Sequence, residues 1–456
     1  MGSVAAMLKE TGLNVQGSDN ELYPPMSDFL KDAGIKTFSG FSTENITNDV
    51  DLVVVGNAIS RGNVELEHVL DNKIRYTSFP EIIRDFFIRT SRSLVVTGTH
   101  GKTSTSSLAA WILKNAGRGV GFLIGGIPLN FNKGFLCPPP GGIFVVEGDE
   151  YDTAFFDKRS KFLHYLPEIL ILNNLEFDHA DIFDTLRDIK RSFEHLIRVV
   201  PSNGLIVANA DDENIAEITK TVYSKLKTFA INNRSADFIA DNINYLADKT
   251  EFDIIKDGEK FTRISTILRG EHSVYNILAL YAALDHLGLS ADDIQDGIST
   301  FNNVKRRMEL VGEVNSISVI DDFAHHPTAI KKTLAGLKKA NPGRRIIALF
   351  EPKSNTSRRN VFQDDFAGSF GDADSVIIGK VYNYDNMDES ERLDPNRLIE
   401  AINKNGTEAC YIPDPELLVR FAADNASSGD IIIAMSSGSF YGIHQKIITR
   451  LKERFK

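Results

Sequence analysis

The chain has 456 residues, and at about 150 residues per domain that length implies roughly three domains, each able to bury its own core. Its 51 basic and 62 acidic residues give a formal net charge of −11, which argues against a protein built to grip a polyanion such as DNA, while leaving room for a local basic pocket around one phosphate ligand. No apolar run approaches the roughly 20 residues needed to cross a bilayer, Met1-Gly2-Ser3-Val4 lacks a secretory signal, and two cysteines, Cys137 and Cys410, support no disulfide framework. The expectation is a soluble cytoplasmic protein with no nucleic-acid or membrane partner.

Short runs rich in Val and Ile alternate with amphipathic stretches of helical length, the pattern of parallel sheets covered on both faces, so the fold class is α/β. Val4–Thr11 reads as a helix stopped by Gly12, and Leu13–Asp19 as a strand ending in an acid. In a Rossmann-like unit these are the first helix and the second strand, with the acid about 20 residues beyond a Gly-rich turn. The first strand lies mid-sheet in such a unit, in the order 3-2-1-4, so its absence leaves two edges facing each other. The expectation is a functional protein that begins about ten or more residues upstream of Met1, and a chain that as written binds the ligand of this first domain poorly.

Asp51–Gly56 is the clearest buried strand of the first block and Glu81–Ile88 its closing helix. A second block holds strands at Ser93–Gly98, Ile143–Glu147 and Ile169–Asn173 and ends near Arg307. Between Ser235 and Arg269 the pattern turns polar and alternating, an antiparallel excursion attached to the middle block. The third block carries strands at Ile317–Asp321, Arg345–Phe350 and Asp430–Met435 before a final basic helix. No repeat or low-complexity linker separates the blocks, which places domains at 1–90, 91–311 and 312–456 with tight hinges.

Strand, Gly-rich turn and helix follow one another at Val95-Val-Thr-Gly98-Thr99-His100-Gly101-Lys102-Thr103-Ser104. Backbone N–H groups of such a loop point at phosphate oxygens, with Lys102 reaching the β/γ phosphates and the Thr103 hydroxyl on Mg²⁺. Val96 stands where the full pattern has its first glycine; the plain alternative is a strand-to-helix turn that needs glycine for its backbone angles. Acids and a histidine then gather at strand ends, in Glu147-Gly-Asp-Glu150-Tyr-Asp152 and Asn173-Asn174-Leu-Glu176-Phe-Asp178-His179-Ala-Asp181. Carboxylates suit hard Mg²⁺, whereas taken singly Asp178 reads as the cap of a helix starting near Ala180. Gly270-Glu-His272-Ser273-Val-Tyr-Asn276, the basic Lys305-Arg306-Arg307 and Asp321-Asp322-Phe-Ala-His325-His326-Pro327 complete the chemistry-bearing motifs; His-His-Pro beside two aspartates fits a metal hydrolase, and the paired arginines, where the middle block meets the third, fit either a solvated face or contacts to phosphate or ribose.

In this order the motifs resemble those of the Mur ligase family over nearly the whole chain. Gly17–Ser27, Gly56–Asn63, Tyr151–Lys161 and Glu351–Thr356 draw the resemblance toward the branch that joins UDP-N-acetylmuramate to L-alanyl-γ-D-glutamyl-meso-diaminopimelate in peptidoglycan recycling. The L-alanine-adding branch is the alternative, and a nucleotide-binding sensor that has lost turnover a third reading. The resemblance implies a Rossmann-like N-domain for the UDP sugar, a P-loop ATPase central domain and a Rossmann-like C-domain for the incoming peptide, in a monomer or weak dimer. ATP and Mg²⁺ would activate the lactyl carboxylate as an acyl phosphate, which the peptide amine attacks. Carried over residue by residue, the catalytic groups are Lys102, Glu147 and His179, and the metal ligands Thr103, Glu147 and His179. The ATP site takes Gly98, Thr99, His100, Gly101, Lys102, Thr103, Ser104, His272, Asn276, Arg307 and Asp322, and the substrates take Asp19, Asn174, His326, Asn355, Arg358 and Arg359, the two arginines as forks for peptide carboxylates. Two departures stand out: Ser273 replaces the family's adenine-contacting Asn, and residues 193–195, Phe-Glu-His, lack the lysine that many members carbamylate.

Overall fold

The computed structural model describes residues 1–23, 26–246 and 249–456; Pro24 and Pro25, within the Gly17–Ser27 stretch, lie outside the described residues. The chain divides into two units: Met1–Leu175 with Arg187–Phe238 and Leu278–Asn302, and Glu176–Leu186 with Ile239–Ile277 and Asn303–Lys456.

In the first unit the opening helix runs Gly2–Glu10 and buries Val4, Ala6, Met7 and Leu8. The strand after it is Gln16–Asp19, parallel to Lys36–Ser39, while Val53–Val55 lies parallel to Tyr76–Ser78. These are separate two-stranded sheets, and no strand among the described residues joins them. A carboxylate links the segments instead. Glu65, only 8% exposed, sits in the first turn of the helix Val64–Asp71 and accepts from Ser18 Oγ at 2.5 Å, Asn45 Nδ2 at 2.7 Å and Ser42 N at 3.2 Å. Three donors offset the desolvation that a buried acid would otherwise suffer.

The main sheet of this unit runs, in parallel order, Lys225–Ala230, Leu205–Asn209, Ile169–Leu172, Arg92–Thr97, Ile143–Glu147, Val120–Leu123, with Phe135–Leu136 antiparallel at its edge. Leu94, Val95, Val96, Val145, Ile171 and Leu172 are fully buried, because helices cover both faces and leave no polar side to the strands. The strands ending at Thr97, Glu147 and Leu172 are neighbours, so the loops that follow them share one carboxyl edge, where open α/β sheets place ligands.

In the second unit the expected antiparallel segment is present, Thr250–Lys256 pairing with Glu259–Thr266. Asp257 and Gly258 both take positive φ, 51° and 87°, as a two-residue hairpin turn with the right twist requires. A six-stranded sheet follows, ordered Glu309–Val314, Ile317–Asp322, Ile431–Ser436, Ile346–Glu351, Ser375–Ile378, Glu408–Tyr411, all parallel except the first pair. The boundary expected at 311/312 therefore falls inside a strand: the ladder between Glu309–Val314 and Ile317–Asp322 ties residues 309–311 to the C-terminal sheet. One core, with Ile330, Phe350, Phe366 and Leu398, fills one face, and another, with Leu349, Leu418, Ile447 and Leu451, fills the other.

Glu65→Ala leaves the Ser18 hydroxyl and Asn45 amide without their partner and is expected to destabilise the first 90 residues by about 1–3 kcal/mol. Limited proteolysis should then cleave within them faster at an unchanged melting temperature for the rest; equal cleavage rates would show that Glu65 does not hold the two strand pairs.

Candidate functional site

The phosphate-type loop begins where the strand Arg92–Thr97 ends and the helix Lys102–Asn115 starts. Gly98 has φ 133°, and a Cβ there would lie 3.0 Å from the backbone N and O of Asn174; glycine is demanded by angle and by space. Gly101, at φ 84°, caps the helix. Asn174 braces the turn: its Oδ1 accepts from His100 N at 2.7 Å, its Nδ2 donates to His100 O at 3.1 Å, and its main-chain O accepts from Thr99 N at 3.1 Å. The sequence reading placed Asn174 on substrate; here its amide is spent on the loop backbone, because Gly98 brings the two strand ends into contact.

Lys102 donates to Gly98 O at 2.7 Å and to both Glu150 oxygens at 3.1 and 3.0 Å. Burial by itself would discharge this ammonium, but the carboxylates of Glu150, Asp149 and Glu147 outweigh it and hold the pKa above the ordinary lysine value. Thr103 Oγ1 donates to Glu147 Oε2 at 3.2 Å while Gly125 N donates to Oε1 at 2.9 Å. A hydroxyl and a carboxylate are thus paired at the first turn of a helix beside a buried cation, a donor set of hard oxygens suited to Mg²⁺ and a loop suited to phosphates. Ser104 continues the same turn.

Glu150 went unassigned in the sequence because 48 positions separate it from Lys102, a distance with no periodic signal. Asp149 was likewise missed; it accepts from Lys161 Nζ at 3.2 Å. Asp19 stands exposed at the end of its strand, its Oδ1 accepting from Asn20 N at 2.8 Å.

In the second unit Asp178, His179, His325 and His326 come together. His179 takes φ 56° and its N–H donates to Asp178 Oδ1 at 2.7 Å. No helix starts near Ala180; residues 180–185 turn, and the next helix is Leu186–Arg198. Burial would raise the Asp178 carboxyl, but the rings of His179, His326 and His325 overcome it and hold it well below the usual carboxylate range. His326 caps the helix Pro327–Ala340 by accepting Thr328 N at Nδ1, 3.3 Å, while Nε2 lies 3.2 Å from Phe177 O. A carbonyl only accepts, so the network assigns the proton to Nε2. Glu176 accepts from Thr328 Oγ1 at 2.6 Å, and Asn355 Nδ2 donates to Asp181 Oδ2 at 2.8 Å.

Arg358 donates to Asn355 Oδ1 at 2.8 Å, and Arg359 pairs with Glu391. Asp322 is buried and accepts from Met308 N at 2.8 Å and Ala324 N at 2.9 Å; burial pushes its pKa up against the pull of Arg307. The guanidinium of Arg307 lies 4.8 Å from the Phe323 ring centroid. At the start of the helix Glu271–His286, the His272 ring folds back toward Gly270, Asn276 is buried, and the Ser273 hydroxyl donates to Arg269 O at 2.8 Å. Ser273 thus binds its own helix start.

Family models match three segments in chain order: the Mur ligase family catalytic domain over 1–90, the Mur ligase middle domain over 96–284 and the Mur ligase glutamate ligase domain over 306–438. The chain is 41% identical to UDP-N-acetylmuramate–L-alanyl-γ-D-glutamyl-meso-2,6-diaminoheptandioate ligase of Haemophilus influenzae over 459 residues, covering 99% of this chain and 97% of the relative. The chain belongs to the Mur ligase family. The Escherichia coli ligase of the same name is also 41% identical, over 100% of this chain and 96% of its own length. Among solved structures, a murein peptide ligase from Psychrobacter arcticus superposes with TM-score 0.74 at 37% identity, covering 99% of this chain and 96% of that one. This Mur ligase therefore has the family's three-domain α/β fold, with its glycine loop in the middle domain.

Burial, followed by the charges of Lys332 and Arg307, pushes His272 down to about 4, while the unfolded imidazole titrates near 6.5. The unfolded chain binds the extra proton between those values, so this contribution is intact above about pH 6.5 and is lost as the pH falls toward 4, at up to about 1.4 kcal/mol per unit. Urea unfolding at stepped pH is expected to show His272→Gln with a shallower acid slope than the parent; superimposable slopes would overturn the assignment.

Proposed function

We propose that this chain joins UDP-N-acetylmuramate to L-alanyl-γ-D-glutamyl-meso-diaminopimelate, with ATP cleaved to ADP and phosphate, in the cytoplasm as a step of peptidoglycan recycling. The observation that carries the reading is the intact phosphate loop, with Lys102 buried against Glu150 and Thr103 paired to Glu147, in a chain 41% identical to two ligases of that name along its whole length.

Carboxylate plus amine does not condense in water, so the lactyl carboxylate must first be activated. Its oxygen attacks the γ-phosphorus of ATP, ADP leaves, and the peptide α-amine then attacks the acyl carbon and expels phosphate. Loop N–H groups from Gly98 to Ser104 hold the phosphates, and Lys102 exchanges Glu150 for phosphate oxygens. Thr103 and Glu147 would hold one Mg²⁺ and His179 a second, supplying charge stabilisation for the transferring group. His272, Asn276, Arg307 and Asp322 serve the nucleotide. Asp19 serves the UDP sugar, and His326, Asn355, Arg358 and Arg359 serve the substrates, in three domains whose last boundary we place just ahead of Glu309.

Phosphate release from ATP with UDP-N-acetylmuramate present is expected with the tripeptide as acceptor and not with L-alanine; the reverse preference makes the chain an L-alanine ligase, and release with neither makes it a sensor. Lys102→Met should lower turnover by at least about 100-fold. Because Glu150 is only 3% exposed, the same change strands a buried carboxylate and should also lower the melting temperature. Adding Glu150→Gln is expected to recover the melting temperature but not the turnover; recovery of both would remove Lys102 from the mechanism. His179→Ala should lower kcat more than it raises the KM for ATP, whereas a turn-holding residue would lower the melting temperature and leave kcat alone.

A further inference from the structure

The stretch Glu351–Thr356 contains a lysine that the mechanism above does not use. Lys353 follows the carboxyl end of the strand Ile346–Glu351, on the edge where a parallel sheet places its ligands. Its ammonium lies 4.7 Å from the Tyr382 ring centroid and, among the described residues, makes no ion pair or hydrogen bond. The side chain is half-buried and its stem lies flat on the loop after Ile431–Ser436: a Cβ built on Gly438 would fall 2.3 Å from Lys353 Cδ and 2.5 Å from Nζ. Long cations that have no anion normally extend into water. This one is held at a surface.

What holds it is a buried polar chain. Glu351 is fully buried, and its Oε2 accepts from Ser436 Oγ at 2.5 Å, which in turn accepts from Gly438 N at 2.9 Å. Arg306 donates to Ser436 O at 2.8 Å and also to Gly438 O, and its Nε donates to Asp321 Oδ2 at 3.2 Å. Burial pushes the Glu351 carboxyl up, against the pull of Lys353 and Arg306. The other oxygen, Oε1, has no hydrogen-bond partner among the described residues. Tyr382 N donates to Pro352 O at 3.0 Å, fixing one ring beside the lysine. The Tyr382 and Tyr441 rings remain 44% and 43% exposed, and Tyr441 is close enough to Glu351 and Tyr382 to feel both. A fixed cation flanked by two open aromatic faces suits a carboxylate carried on a short methylene chain, with the chain lying on the rings.

We propose that Lys353 is a specificity residue for the acceptor, binding the distal carboxylate of the meso-diaminopimelyl residue, with Glu351 and Ser436 as positioning residues that keep its loop in place. The proposal rests on the tripeptide-ligase reading. It selects among the peptide's carboxylates the one at the end of a methylene chain, and it predicts discrimination against an acceptor that ends in lysine, which keeps the distal amine and lacks the carboxylate.

The test measures kcat/KM on the full chain with L-alanyl-γ-D-glutamyl-meso-diaminopimelate and with the corresponding L-lysine peptide. The parent should prefer the diaminopimelyl peptide by about 10- to 100-fold, the usual worth of a charge-assisted contact. Lys353→Met should erase that ratio through the KM of the diaminopimelyl peptide, leaving the lysine peptide within about twofold, and Lys353→Arg, which keeps the charge, should restore part of it. The proposal is overturned if the ratio persists in a Lys353→Met protein that melts like the parent, if both peptides lose equally, or if the parent shows no preference. A parent that ligates neither peptide would refute the function itself and not this residue's role.

Discussion

The amide of Asn174 fixes the shape of the glycine loop at residues 98–101. Two strands of a parallel sheet end side by side at Thr97 and Leu172, and the chain leaves both through backbone groups that no ladder satisfies. Asn174 supplies an acceptor to His100 N and a donor to His100 O, which fix the shape of the loop. The close approach this requires excludes any side chain at position 98. With the loop so held, Lys102 is carried inward, and its charge needs the acids of the neighbouring strand's loop.

That electrostatic pairing has a mechanistic consequence. The buried Lys102 ammonium stays charged because the carboxylates of Glu150, Asp149 and Glu147 outweigh its desolvation. Any anion entering this loop has to compete with the Glu150 carboxylate for the ammonium, with the helix dipole on the anion's side.

The second unit uses the same physics at a different edge. Asp178 stays ionised among three imidazoles, and Asp322 and Glu351 are buried at strand ends with backbone or hydroxyl donors. Arg306, at φ 61°, reaches the carbonyl of Ser436 at the end of its strand and that of Gly438 just beyond it, and so fixes the loop against which Lys353 lies. Buried acids at the carboxyl ends of strands are costly to place, and in each case the cost is met by a cation or a fixed donor nearby.

The fold class, the strand cores and the glycine loop were legible in the sequence, because parallel strands buried on both faces must be continuous apolar runs and a loop that cradles phosphate must carry Gly98, Gly101 and Lys102 at fixed spacing. What local pattern could not supply was any pairing between distant positions. Glu150 opposite Lys102, Glu65 between Ser18 and Asn45, and Arg306 on the carbonyls of Ser436 and Gly438 are set by which loops the sheet brings together. The family resemblance implies a substrate role for Asn174, while its amide bonds to the backbone of His100, a partner brought to it by the close approach at Gly98. The strand Glu309–Val314 was cut by the sequence-based boundary because its half-exposed, alternating residues lack the apolar run of a central strand, and only its ladder to Ile317–Asp322 assigns it. Composition and spacing thus determined the scaffold and the loop, while tertiary structure alone decided which charges face each other, since Coulomb and hydrogen-bond partners depend on distance in space and not along the chain.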